Sequence, residues 1–140
     1  MNTRSAEVLL ELEAILQANA SINFVDISGP VEPLASETNS VASYISCTNV
    51  VPKLYTSGPE LDSYDMHGFF VITTNVDCSL DKLKVYDIAD SIQRSILNDS
   101  TIWSHLVDRD IIAVEYDNAQ FYPKRSVVIA LEVTYRLLCA

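Results

Sequence analysis

Glycine is scarce here: three in a chain of 140 residues leave little room for any chemistry built on a glycine-rich loop. No Gly-x-Ser-x-Gly elbow, phosphate-cradling loop or dinucleotide fingerprint occurs. Cysteine is equally sparse. Cys47, Cys78 and Cys139 are odd in number and lack a short paired spacing, so they read as small buried hydrophobes in a reducing compartment rather than as a disulfide framework or a zinc site. No segment approaches the 18 apolar residues of a membrane span, and the amino terminus lacks a basic region followed by an apolar run and a small-residue cleavage site. The chain therefore reads as soluble and non-secreted. Basic residues are also few, nine against nineteen acidic, for a net charge of -10. They are dispersed, which argues against a duplex-binding surface, because phosphate contacts need clustered Lys and Arg. An acidic surface instead repels DNA, a property suited to a passage through which DNA slides without sticking; it also serves plain solubility.

What is present is organised around residues 126–138. Val127, Ile129, Leu131, Val133, Tyr135 and Leu137 occupy the odd positions, while Glu132, Thr134 and Arg136 lie between them, the period of two of a half-buried strand. A strand of about a dozen residues is twice the usual length and belongs in the middle of a sheet. Val128 and Ala130 make the first half apolar on its even face too. That half is expected to be covered on both sides, by a helix on one and by another layer or subunit on the other.

In chain order, residues 4–18 read as a helix, with Thr3 as cap, Glu7 in the first turn, and Val8, Leu12, Ile15 and Leu16 as its apolar stripe. Ile22, Phe24, Val25 and Ile27 form a short strand that ends at Ser28, Gly29 and Pro30. Residues 28–43 shift to Pro, Ser, Glu, Thr and Asn, a long polar connection read as a candidate contact arm. Residues 41–47 fit a helical turn or an edge strand. Residues 50–57 read as a strand that Pro52 restricts to an edge or a strand start. Residues 66–76, with Phe69, Val71 and Thr73 on one face and Phe70, Ile72 and Thr74 on the other, form a strand inside the sheet.

Ser79 is the expected cap of a second helix over residues 80–97, where Asp81 suits the helix dipole and Val85, Ile88, Ala89, Ile92 and Ile96 make the stripe. Residues 98–110 read as a connection with a turn of helix around Trp103. Ile112, Val114 and Tyr116 then alternate against Ala113, Glu115 and Asp117, a strand that pairs antiparallel with 126–138. The loop between them, 117–125, carries Phe121, Tyr122, Lys124 and Arg125, a composition common in binding tips; Phe121 and Tyr122 alternatively close one end of the core. The fold class is α+β, one domain over 1–140, with a mostly antiparallel sheet of about four to five strands and two main helices packed on one face.

Chemistry is hard to find. Asp65 and His67 have the makings of a base and its orienter, but no nucleophile accompanies them. His105, beside Trp103 and Leu106, reads as a packed ring. Cys78 lies where a helix terminus favours a thiolate, yet no histidine is placed beside it by sequence. No catalytic, cofactor-binding or metal-binding residues are assigned, and no enzyme activity is expected.

The order of elements resembles the tail terminator proteins of long-tailed bacteriophages. The stretches that carry the resemblance are EVLLELEAILQA, DMHGFFVITTNVD followed by KLKVYDIADSIQRSIL, and YPKRSVVIALEVTYRL, which together span nearly the whole chain. The resemblance implies a structural virion protein without enzymatic activity or cofactor, forming a hexameric ring that caps the tail tube, ends tail polymerisation and joins the tail to the neck and head connector. Its partners would be copies of itself, the tail tube protein, a neck or connector protein and, in a contractile tail, the sheath protein. DNA would pass through the lumen without specific binding, and no membrane is involved. The candidate contact residues are Glu32 and Glu37 in the polar connection and Phe121, Tyr122, Lys124 and Arg125 in the later loop. Two other readings stay open: another neck or head–tail joining component, and a small α+β enzyme or ligand-binding domain with a pocket joining Asp65, His67 and Cys78.

Overall fold

In a computed structural model the described residues are 4–27, 40–53, 63–98, 106–117 and 123–138. The first helix, α1 (Arg4–Gln17), forms where Val8, Leu12, Ile15 and Leu16 recur at helical spacing, and all four are buried. β1 (Phe24–Ile27) follows and pairs in parallel with β2 (Val41–Lys53), from Phe24 against Ala42 to Ile27 against Ile45. Asn23 ties the two together: its Oδ1 accepts the Val41 N–H at 3.0 Å and its own N–H donates to the Val41 carbonyl at 2.9 Å. Parallel neighbours need a crossover of about a dozen residues, so the length of the polar stretch after residue 27 is explained by this pairing alone.

β2 corrects two expectations. The connection expected through residue 43 gives way to strand at Val41, and residues 41–47 are neither a helical turn nor a sheet edge over the part that β1 covers. Ser43 misleads the sequence reading because it is polar yet fully buried; its Oγ lies 2.8 Å from Thr74 Oγ1 directly across the ladder, so each hydroxyl satisfies the other. Ser43→Ala should cost about 1–3 kcal/mol in a urea melt by orphaning the Thr74 hydroxyl, and Ser43→Ala with Thr74→Val should recover part of that. Pro52 lies in the portion of β2 beyond the reach of β1, which among the described residues leaves it on an edge, as its missing N–H requires.

β3 (Ser63–Asp77) and β5 (Lys124–Leu138) are paired antiparallel over their full length, from Ser63 against Leu138 to Asp77 against Lys124. β4 (Leu106–Tyr116) joins the outer side of β5, giving the order β1-β2-β3-β5-β4. The fold is α+β with a mostly antiparallel five-stranded sheet, and both strands expected inside it are inside it.

Val127, Ile129, Leu131, Val133 and Tyr135 of β5 are buried on one face, in register with Phe70, Ile72 and Val76 of β3 and Val41 and Ile45 of β2 on the same face. The stripe of α1 and the stripe of α2 (Lys84–Asn98), Val85, Ile88, Ala89, Ile92 and Ile96, belong to the same apolar cluster. Full burial of each such aliphatic side chain is worth about 1.5–3 kcal/mol. The helices are linked to each other by Asn19, whose Nδ2 donates to Ser91 Oγ at 2.9 Å and Ser95 Oγ at 3.1 Å.

Two further expectations are corrected at element ends. α2 begins at Lys84, not residue 80, because Asp77 and Asp81 each take the backbone N–H two residues on, from Ser79 and Leu83, both at 2.9 Å. Those bonds hold the chain in turns, and Asp81 rather than Ser79 does the capping. Residues 106–110, read as connection, are already strand. A register shift between Ile111 and Ala113 then breaks the simple alternation: Ile111, Val114 and Tyr116 pack against the core, while Ile112 is turned half out to solvent. The helical turn expected around Trp103 lies outside the described residues.

Candidate functional site

The expected catalytic grouping does not assemble. His67 Nδ1 is 2.8 Å from Glu132 Oε1, a cross-strand partner 65 residues away that sequence reading had no means to supply. The pair is about 30% exposed on the sheet face opposite the helices, since His67 sits against Thr134 and Phe69 against Glu132 in the ladder. Cys78 follows the far end of β3, eleven residues from His67, which at ~3.3 Å per residue separates them by roughly 35 Å. Burial pushes the Cys78 thiol above its ordinary pKa, with the Val85 backbone bond and Arg125 opposing, so the helix terminus does not make it a thiolate. Cys47 is raised by burial as well. The Asp65 side chain and His105 lie outside the described residues, and among those residues no group of three His, Cys, Asp or Glu side chains is placed to hold a metal ion.

Lys124 and Arg125 open β5 at one end of the sheet, where both are engaged within the chain. Asp77, opposite Lys124 in the ladder, is held below the ordinary carboxylate range, first by the Ser79 backbone N–H, then by the Ser79 hydroxyl, with Lys124 and Lys84 contributing at longer range. A carboxyl depressed in the folded state contributes stability above its unfolded pKa and loses it as pH falls through the folded one. Asp77→Asn should therefore flatten the acid limb of the stability–pH curve below about pH 4, the carboxylate range, with a small amplitude because the group is exposed.

Arg125 lies over the Tyr86 ring at 5.4 Å, and Tyr86 in turn packs on Tyr116 with centroids 4.7 Å apart. Asp117 closes the β4–β5 connection by accepting the Ser126 N–H at 2.9 Å and donating its own to the Ser126 carbonyl at 3.1 Å. Glu32, Glu37, Phe121 and Tyr122 lie outside the described residues.

The sheet face away from the helices is the larger feature. Its centre holds Phe69 and Val71 of β3 and Val128 and Ala130 of β5, all half-buried, with Ala42, Tyr44, Thr73 and Asn75 buried at one end. Ser126 Oγ donates to Asn75 Oδ1 at 2.7 Å across this face. Its described charges stand on the flanking strands, at one end, or in a pair: Asp26 in β1, Asp110 and Glu115 in β4, Asp77 opposite Lys124 at the end of β3 and β5, and Glu132 paired with His67. The free edges of the sheet are blunted. β4 carries two register shifts, and β2 beyond β1 carries another between Cys47 and Asn49 together with the missing N–H of Pro52, features that discourage strand addition.

No protein-family model matches the chain, and no curated protein matches it. Among solved structures it is similar to a chain of the virion of a native gene transfer agent particle, with a TM-score of 0.43 and 13% sequence identity, over 90% of this chain and 84% of that one.

Proposed function

We propose that this chain is a structural virion protein of the tail terminator kind, forming a hexameric ring that caps the tail tube, ends tail polymerisation and joins the tail to the neck and head connector. The observation that carries the reading is the sheet face left open by the helices. β2, β3 and β5, of 13 to 15 residues, stand side by side, and the half-buried centre of that face is apolar, with its described charges in a pair, at one end or on the flanking strands. Phe69, Val71, Val128 and Ala130 at its centre are half-buried, so they are the part of the face that a neighbouring subunit or tube layer would finish covering. Six copies at -10 each would give the ring a strongly acidic character, which keeps DNA from adhering as it passes.

Light scattering on the purified protein, alone and mixed with tail tubes, tests the reading. A ring, or binding confined to one tube end, is expected. A persistent monomer that ignores tubes and their ends would refute it, and binding to the head connector in place of the tube end would make the chain another neck or joining component.

A further inference from the structure

A hydrogen-bonded titratable pair stands on the same sheet face as the half-buried apolar centre. His67 Nδ1 lies 2.8 Å from Glu132 Oε1, with side chains 28% and 31% exposed, so the pair keeps only part of its water before any partner arrives. Glu132 is directly opposite Phe69 in the ladder, and such cross-strand neighbours have Cβ atoms about 5 Å apart. A partner that covers Phe69 therefore covers the pair as well.

The surroundings of the pair set the sign of its response. On β4, Asp110 stands opposite Glu132 and is exposed, and like charges so placed repel. The row of His67 continues with Val51 on β2, Thr134 on β5 and Asp108 on β4. The next row holds Lys53, Asp65 and Arg136, whose single excess positive charge Asp108 offsets. Arg109, the one base of β4, is turned instead to the carbonyls that end α2. With a neutral imidazole, Glu132 is an uncompensated carboxylate beside Asp110, and sealing it from water is costly. With a protonated imidazole the pair carries no net charge and is cheaper to seal. Imidazole is the side-chain group that ordinarily changes charge between about pH 5 and 8, whereas carboxylates ordinarily stay ionised over most of that range.

We propose that the His67 and Glu132 pair makes assembly through this sheet face pH-sensitive, the contact tightening as His67 takes up a proton. This rests on the reading of the face as an assembly contact and adds its regulation. The docked state binds more protons than the free one, so by linkage association strengthens as pH falls. The limit for one proton per contact is about tenfold per pH unit.

Sedimentation velocity between about pH 8 and pH 6, on the protein alone and with tail tubes, tests this. Wild type should associate at least about 3-fold more tightly at the acid end. His67→Gln keeps a donor for Glu132 but cannot titrate, so it should stay near the weak, alkaline level throughout. Glu132→Gln should flatten the slope or reverse it, because a protonated His67 then enters the contact without its bonded carboxylate. A purely structural role for the pair would instead change association by the same factor at every pH. His105, the other histidine of the chain, is unaltered in every variant, so its contribution is common to all. Circular dichroism should show each protein folded across the range; if His67→Gln does not fold, the slope of Glu132→Gln decides. A wild type whose association ignores pH, or a variant that keeps the wild-type slope, would overturn the proposal and leave the ring reading standing. A wild type that neither self-associates nor binds a tube end at any pH in the range would overturn both.

Discussion

Phe70→Ala is expected to cost about 3–5 kcal/mol of folding stability. Phe70 is fully buried at the middle of β3, opposite Leu131 of β5 and Cys47 of β2, and its ring runs along the helix-side face toward Gly68. Removing it leaves a cavity that the flanking strands cannot close without breaking their ladders. A domain of this size is stable by only about 5–15 kcal/mol, so the urea midpoint should drop sharply with the slope unchanged. Phe69→Ala, one residue away and half-buried on the open face, should cost clearly less stability and should instead weaken assembly. Equal losses in folding for the two variants would show that the open face is already part of the core.

Gly68→Ala is the second large effect, about 1–3 kcal/mol from overpacking. A Cβ at Gly68 would lie 2.6 Å from Phe70 Cε2 and 3.2 Å from both Phe70 Cζ and Tyr135 Cε1. Neither ring is free to retreat: Phe70 is fully buried, and Tyr135 is buried with its hydroxyl 2.7 Å from Ser5 Oγ on α1. The glycine therefore serves close packing of two aromatic rings on one sheet face. In a Phe70→Ala background most of the clash is gone, so the double variant should be less destabilised than the two single losses added together. Strict additivity in chemical melts would contradict the packing argument.

Much of the fold is legible in order along the chain. The period of two in 126–138 and the helical stripes of Val8 to Leu16 and Val85 to Ile96 announce which faces are buried, because burial selects apolar side chains at the period of the element. The misreadings have a common cause. Ser43 is polar but neutralised by Thr74, 31 residues on; Ile112 falls at a bulge defined only by the partner strand; residues 80–83 have helix-like composition but are captured by Asp77 and Asp81. In each case a contact not encoded in local periodicity overrides it. Arg109 is a further example, since its Nε and Nη2 cap α2 by donating to the carbonyls of Ile96 at 2.9 Å and Leu97 at 2.8 Å.

The candidate site was less legible than the fold. Lys124 and Arg125 are conspicuous on a loop-to-strand boundary, but their engagement with Asp77 and Tyr86 depends on β3 and α2 arriving at the same end of the sheet. The His67 and Glu132 pair and the sheet face opposite the helices are invisible to any window along the chain. By itself the sequence determined the α+β class, the central strand, both helix stripes and the acidic balance, all of which follow from local period and composition. Strand order, the parallel β1–β2 pairing and the bulge that exposes Ile112 were decided only by the tertiary structure, because each depends on which distant segments meet and in what register.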